Sequence, residues 1–140
     1  MAKTKPEDVL SLVPMFRGLS RRQLRHVASF CEFGDYMAGA AVVKKGDPGD
    51  AFFVVLTGQA KVTDGRKFLS RMLPGDHFGE IAVIDGGPRT ATVTTETATS
   101  LLILTRRNFK KAMSDEPALA YHMMTELAKM FRRVSAADTS

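Results

Sequence analysis

Between positions 33 and 105 the apolar residues come in short runs, none longer than six, divided by residues that turn the chain. The runs are Val42-Val43, then 52–56, 60–62, 68–73, 90–95 and 101–104. Asp47-Pro48-Gly49 suits a type II turn, with proline fixing φ and Gly49 supplying a positive φ. Asp64-Gly65 is a hairpin signal, and Pro74-Gly75 marks a further turn. Many short strands at this spacing form a barrel, a sandwich or a jelly roll.

Helical patterns flank this region. Val9, Leu10, Leu12 and Val13 form a cluster stopped by Pro14. Ser20 and Gln23 are spaced as a capping box. Behind them Leu24, Val27, Ala28 and Cys31 share one helical face, and Gly34 is the expected stop. Past the strands, 107–113 is a short helix. Ser114 or Asp115 then caps a longer one over 117–134, with Pro117 in its first turn. On that helix His122, Thr125, Glu126, Lys129, Arg132 and Arg133 fall within an arc of about 120°. Leu119, Met123, Met124, Leu127, Met130, Phe131 and Val134 spread over roughly 200°. One core needs an apolar stripe of only about 100°, so this helix has more than one thing to cover.

A length of 140 residues fits one domain with one core and leaves little for a separate catalytic lobe. The net charge of +5 favours anionic partners, yet no Lys/Arg block marks a nucleic-acid tail. Lys110 and Lys111 read as a solvated face. The single cysteine, Cys31, cannot form an internal disulfide, and its apolar neighbours predict a packing role. The polar stretch 1–8 lacks the apolar region of a signal peptide, and the longest apolar run, 51–56, is too short to span a bilayer. These features predict a cytoplasmic location. His26, His77 and His122 show no ligand spacing, which predicts solvent or packing roles and no metal site. The serine-hydrolase, P-loop, dithiol and zinc-protease motifs are missing, so a binder is expected rather than an enzyme.

The chemistry is concentrated in 75–93, where glycines and an arginine interrupt the strand pattern. Gly79 permits close backbone approach. The residues from Glu80 onward suit the first turn of a very short helix, whose amides attract anions. Gly86-Gly87-Pro88 bends the chain, and Arg89 follows. An arginine beside open amides is a phosphate site. A structural ion pair of Arg89 with Glu80 or Asp85 is the alternative use of these residues.

The stretches Phe78-Gly79-Glu80-Ile81-Ala82 and Pro88-Arg89-Thr90-Ala91-Thr92 resemble the phosphate-binding cassette of the cyclic nucleotide-binding domain family. Gly46-Asp47-Pro48-Gly49-Asp50 with Phe52-Phe53, Thr57-Gly58, Leu73-Pro74-Gly75-Asp76 and the segment 14–20 resemble other parts of it. The likeness extends over roughly 13–134. It implies a mainly β fold: an eight-stranded, jelly-roll-like β-roll with N-terminal helices and a C-terminal lid helix. As one domain over 1–140, that divides into a helical segment about 6–32, a roll about 33–105 and C-terminal helices about 106–134.

The resemblance further implies that Arg89 forks onto the cyclic phosphate, while Ile81 and Ala82 donate amides to it. Glu80 would accept from the ribose 2′-OH, Gly79 would let the sugar approach, and Thr90 would add a hydroxyl near phosphate or base. Leu127, Met130, Phe131, Arg132 and Arg133 are lid candidates over the base. The implied ligand is cAMP, with cGMP as the alternative, and the implied role is a sensor that moves its C-terminal helix. The wide apolar arc of that helix admits a homodimer or a partner protein. Regulators of the cAMP-receptor type continue into a DNA-binding domain. Here the sequence stops at Ser140, so no nucleic-acid or membrane partner is expected for this chain alone.

Overall fold

Strand burial alternates with period two where one face meets the core and the other meets water, and it is continuous where both faces are covered. The computed structural model, which describes residues 5–139, contains both kinds. Residues 1–4, the start of the polar N-terminal stretch, and Ser140 lie outside the described residues. The chain divides into two compact units: residues 30–109, and residues up to 29 together with those from 110 onward.

The first of these units is a β-roll of two four-stranded antiparallel sheets. Its strands are β1 (Glu32–Tyr36), β2 (Ala41–Val43), β3 (Ala51–Thr57), β4 (Ala60–Asp64), β5 (Lys67–Met72), β6 (His77–Phe78), β7 (Thr92–Thr95) and β8 (Thr99–Thr105). One sheet runs β1-β8-β3-β6 and the other β2-β7-β4-β5. Ala60 and Val62 of β4 and Val93 of β7 alternate inward and meet Phe53 and Val55 of β3, Phe78 of β6 and Leu101 of β8. The central strand β3 is buried from Ala51 through Val55, so it reads as an unbroken apolar run.

Helix α3 (Glu80–Asp85) interrupts the roll between β6 and β7. The turn after β4 has positive φ at Gly65 and not at Arg66, so Gly65-Arg66 is the two-residue loop, one position later than Asp64-Gly65.

Three sequence expectations fail here for identifiable reasons. The first helical pattern ends at Ala28 and not at Gly34, which lies in β1 opposite Leu101. An added Cβ on Gly34 would stand 2.6 Å from Ile103 Cδ1 of β8, the movable end of that side chain. Cys31 consequently lies outside the helix; it is half-buried, and burial pushes its thiol pKa up to about 12, away from reactivity. Gly49 has no positive φ; Gly46 supplies it instead, at +90°.

The helical unit holds α1 (Pro6–Leu10), a 3-10 turn at Pro14–Phe16, α2 (Arg21–Ala28) and α5 (Pro117–Thr139). Helix α4 (Arg106–Asp115) begins directly after β8. Because Pro117 opens α5, Glu116 and not Ser114 or Asp115 precedes it. The α2 capping box is present: Ser20 Oγ accepts from the Gln23 amide at 3.1 Å, and Gln23 Oε1 accepts from the Ser20 amide at 3.0 Å. Replacing this cap in Ser20→Ala is expected to cost about 1 kcal/mol in urea unfolding; an unchanged midpoint would remove the cap from the account. On α5, Leu119 and Met123 are buried, while Tyr121, Met124, Phe131 and Val134 stay exposed. Part of the broad apolar arc is thus exposed among the described residues.

Candidate functional site

The approach to α3 is set by a type II turn over 73–76. Pro74 leads it, Gly75 has φ +93°, and the Asp76 amide donates to the Leu73 carbonyl at 2.9 Å. The turn delivers β6 onto β3, where Phe78 stacks on Phe53 with ring centroids 4.8 Å apart. Gly79 then reverses the backbone at φ +94°. A Cβ there would lie 2.6 Å from the Ala51 carbonyl oxygen and 2.9 Å from Arg89 Nη1, so conformation and space both require glycine.

In α3 the Val83 amide is the first to reach back along the helix, to Gly79 O at 3.0 Å. The geometry of a helix start leaves the preceding amides, including those of Ile81 and Ala82, without an acceptor four residues back. The helix ends at Gly86 (φ +71°), whose amide donates to Ala82 O at 2.7 Å.

A backbone clamp then positions the arginine. The Gly49 amide donates to Gly87 O at 2.8 Å, the Arg89 amide to Asp47 O at 2.8 Å, and the Gly46 amide to Arg89 O at 2.9 Å. A Cβ on Gly49 would fall 2.2 Å from Ala82 Cβ and 2.7 Å from Gly87 O. Gly49 is therefore a glycine of close approach. Its turn is the seat on which the loop after α3 rests.

Arg89 is only 7% exposed. Its Nη2 donates to the Ala51 carbonyl at 3.0 Å and to Asp50 Oδ1 at 3.4 Å, and its guanidinium lies 5.7 Å from the centre of the Phe53 ring. Arg89 pairs with neither Glu80 nor Asp85: its carboxylate neighbour is Asp50, and Glu80 Oε1 is bonded by His77 Nδ1. Burial pushes the Glu80 carboxyl up, but the His77 hydrogen bond and charge, with Glu80's own amide, outweigh it and hold the carboxyl below its usual range. The Glu80 hydrogen bond raises His77; burial opposes this, and the charges of Glu80 and Asp76 add to it.

The pair makes stability depend on pH. His77 contributes fully below its ordinary 6.5 and loses that contribution as pH rises through its raised folded value. Glu80 contributes above its ordinary 4.5 and loses that contribution as pH falls through its lowered folded value. The gap in melting temperature between wild type and His77→Phe is expected to be widest between those two values and to shrink on either side. A gap that ignores pH would contradict the pairing.

These elements surround a cavity of about 510 Å³, within the range of small-molecule sites. Gly79, Glu80, Ile81, Ala82, Arg89 and Thr90, the six cassette residues singled out in the sequence, all line it. Val43, Val62, Met72 and Val93 supply apolar wall. The five lid candidates are on α5, in the helical unit: Leu127 and Met130 are half-buried, and Phe131, Arg132 and Arg133 are exposed.

Sequence reasoning assigned His77 to solvent or packing and did not foresee its bond to Glu80. It also missed the wall residues. The period-two alternation around Val62 and Val93 was the usable signal for those. Among the described residues, no cluster of three or more histidine, cysteine or acidic side chains could hold a metal ion. No helix among them is long and apolar enough to cross a membrane.

The family model for the cyclic nucleotide-binding domain matches residues 34–116, a stretch that includes the arginine, the glycine turn and the carboxylate of this cavity. The chain belongs to the cyclic nucleotide-binding domain family.

This cyclic nucleotide-binding domain is similar to the CRP-like cAMP-activated global transcriptional regulator of Mycobacterium tuberculosis, at 28% identity over 134 residues, covering 92% of this chain and 60% of that protein. It is similar to a cyclic nucleotide-gated potassium channel of Mesorhizobium japonicum, at 32% identity over 128 residues, covering 91% of this chain and 33% of the channel. In structure, the domain matches the N-terminal domain of a transcriptional regulator from Streptomyces coelicolor A3(2) with a TM-score of 0.85 and 29% identity, over 93% of this chain and 94% of that one. The domain spans about 60% of the length of the M. tuberculosis regulator.

Proposed function

We propose that the chain, acting over 1–140 as one cyclic nucleotide-binding domain, is a cytoplasmic sensor for cAMP. The observation that carries this reading is the grouping of Arg89, the first-turn amides of α3 and Glu80 around one cavity. A cyclic phosphate is a monoanion with two exocyclic oxygens, which suits a forked guanidinium and nearby amides. The 2′-OH is its one sugar hydroxyl left unesterified, and Glu80 is the acceptor for it. Thr90 stands at the same cavity, towards phosphate or base. The names of the M. tuberculosis regulator and the M. japonicum channel support a regulatory role.

The output is a movement of α5, which closes over the base with Leu127, Met130, Phe131, Arg132 or Arg133. Differential affinity of the nucleotide for two helix positions drives it. The role is binding without turnover. Titration calorimetry with cAMP and with cGMP tests the reading: saturable binding is expected for both, tighter for cAMP. Absence of heat with either nucleotide would overturn it.

A second reading concerns assembly. The exposed Tyr121, Met124, Phe131 and Val134 favour a homodimer or a partner protein on α5. Sedimentation equilibrium with and without cAMP is expected to show a dimer; a monomer under both conditions removes the homodimer.

A further inference from the structure

We propose that His77 is a positioning residue that holds the Glu80 carboxylate in place to receive the ribose 2′-OH. This rests on the reading of Glu80 given above. The histidine is itself well fixed. Strand β6 pairs His77 with Val54, and the segment before it is tied to β3 by the Gly75 amide to Val55 O and the Val55 amide to Asp76 O, each at 2.8 Å. The imidazole lies beside the Phe52 ring, with centroids 6.0 Å apart. Gly79, in its left-handed conformation, folds the chain so that the side chains of residues 77 and 80 meet.

A carboxylate has two oxygens. His77 Nδ1 occupies Oε1, which leaves Oε2 as acceptor for a hydroxyl. Arg89 does not perform this task, since its Nη2 is directed to the Ala51 carbonyl and Asp50. Without His77, the flexible glutamate must be ordered by the ligand at the moment of binding, and that ordering weakens the 2′-OH contact alone.

The test compares cAMP with 2′-deoxy-cAMP by calorimetry. Wild type is expected to prefer cAMP. In His77→Leu and His77→Phe the affinity for cAMP should fall roughly three- to tenfold. That for 2′-deoxy-cAMP should hold within about twofold, so the preference shrinks. His77→Asn, whose amide nitrogen approximates the position of Nδ1, should restore the preference. Should both apolar variants fail to fold, His77→Ser, which cannot reach Glu80, carries the same comparison. An unaltered preference in the variants lacking the donor would overturn the role of His77 and leave the functional reading intact. A wild type that binds cAMP and its 2′-deoxy form equally, or binds neither, would instead overturn the reading of Glu80 on which the inference rests.

Discussion

Arg89→Leu is expected to weaken cAMP binding by roughly 30- to 4,000-fold, the equivalent of about 2–5 kcal/mol for removing one member of a buried charge pair. The site explains the size. The guanidinium is nearly enclosed, and its companions, the Ala51 carbonyl and the more distant Asp50, leave its charge for an incoming anion. Leucine is shorter than arginine but apolar, and the Phe53 ring beside the guanidinium offers it an apolar neighbour, so the roll should persist. The lost bond to Ala51 O costs about 1 kcal/mol of stability. Arg89→Lys should fall between the two, because an ammonium keeps the charge but cannot fork. Calorimetry paired with a urea melt separates the effects; a leucine variant that still binds cAMP like wild type would remove Arg89 from the site.

Gly49→Ala should produce the largest loss of stability, about 2–4 kcal/mol, together with loss of cAMP binding. The added methyl would overlap Ala82 of α3 and the Gly87 carbonyl, both in the segment this turn supports. Neither can withdraw without breaking the Gly49–Gly87 or Arg89–Asp47 hydrogen bond. Gly46→Ala is the informative contrast. Its methyl meets nothing within 4 Å, so only the cost of a positive φ remains, about 1–2 kcal/mol. Equal effects of the two substitutions in thermal and urea unfolding would show that crowding at Gly49 is not what matters.

The difference between these glycines shows where sequence reading stopped. Asp47-Pro48-Gly49 is recognisable as a turn, but a glycine needed for positive φ and one needed for close contact look alike in a string of letters. The same limit applies to Gly34. Strand β1 has no fully buried residue and its Phe33 is exposed, so its hydrophobic pattern does not mark it; its pairing with β8 makes it a strand. By contrast, β4 and β7 alternate because one face meets the core, and that alternation is legible.

The cassette was the most legible part. Its chemistry needs particular residue types at fixed spacing, and Gly79, Glu80, Ile81, Ala82, Arg89 and Thr90 all reach one cavity. What lies beside those residues was not legible. The partner of Glu80 is set by how β6 lies on β3, and the company of Arg89 by the path of β3 through Asp50 and Ala51. The breadth of the apolar arc on α5 was visible, and several of its side chains are indeed exposed. What they meet depends on surfaces beyond the helix pattern.

A crystal structure of the chain grown in excess cAMP would show whether the nucleotide occupies the cavity at Arg89 and Glu80. The exocyclic phosphate oxygens are expected within hydrogen-bond reach of the Arg89 guanidinium and the Ile81 and Ala82 amides, with the 2′-OH on Glu80. A nucleotide bound at another surface, or the cavity between α3 and the loop at Arg89 filled by side chains despite the excess, would contradict this placement.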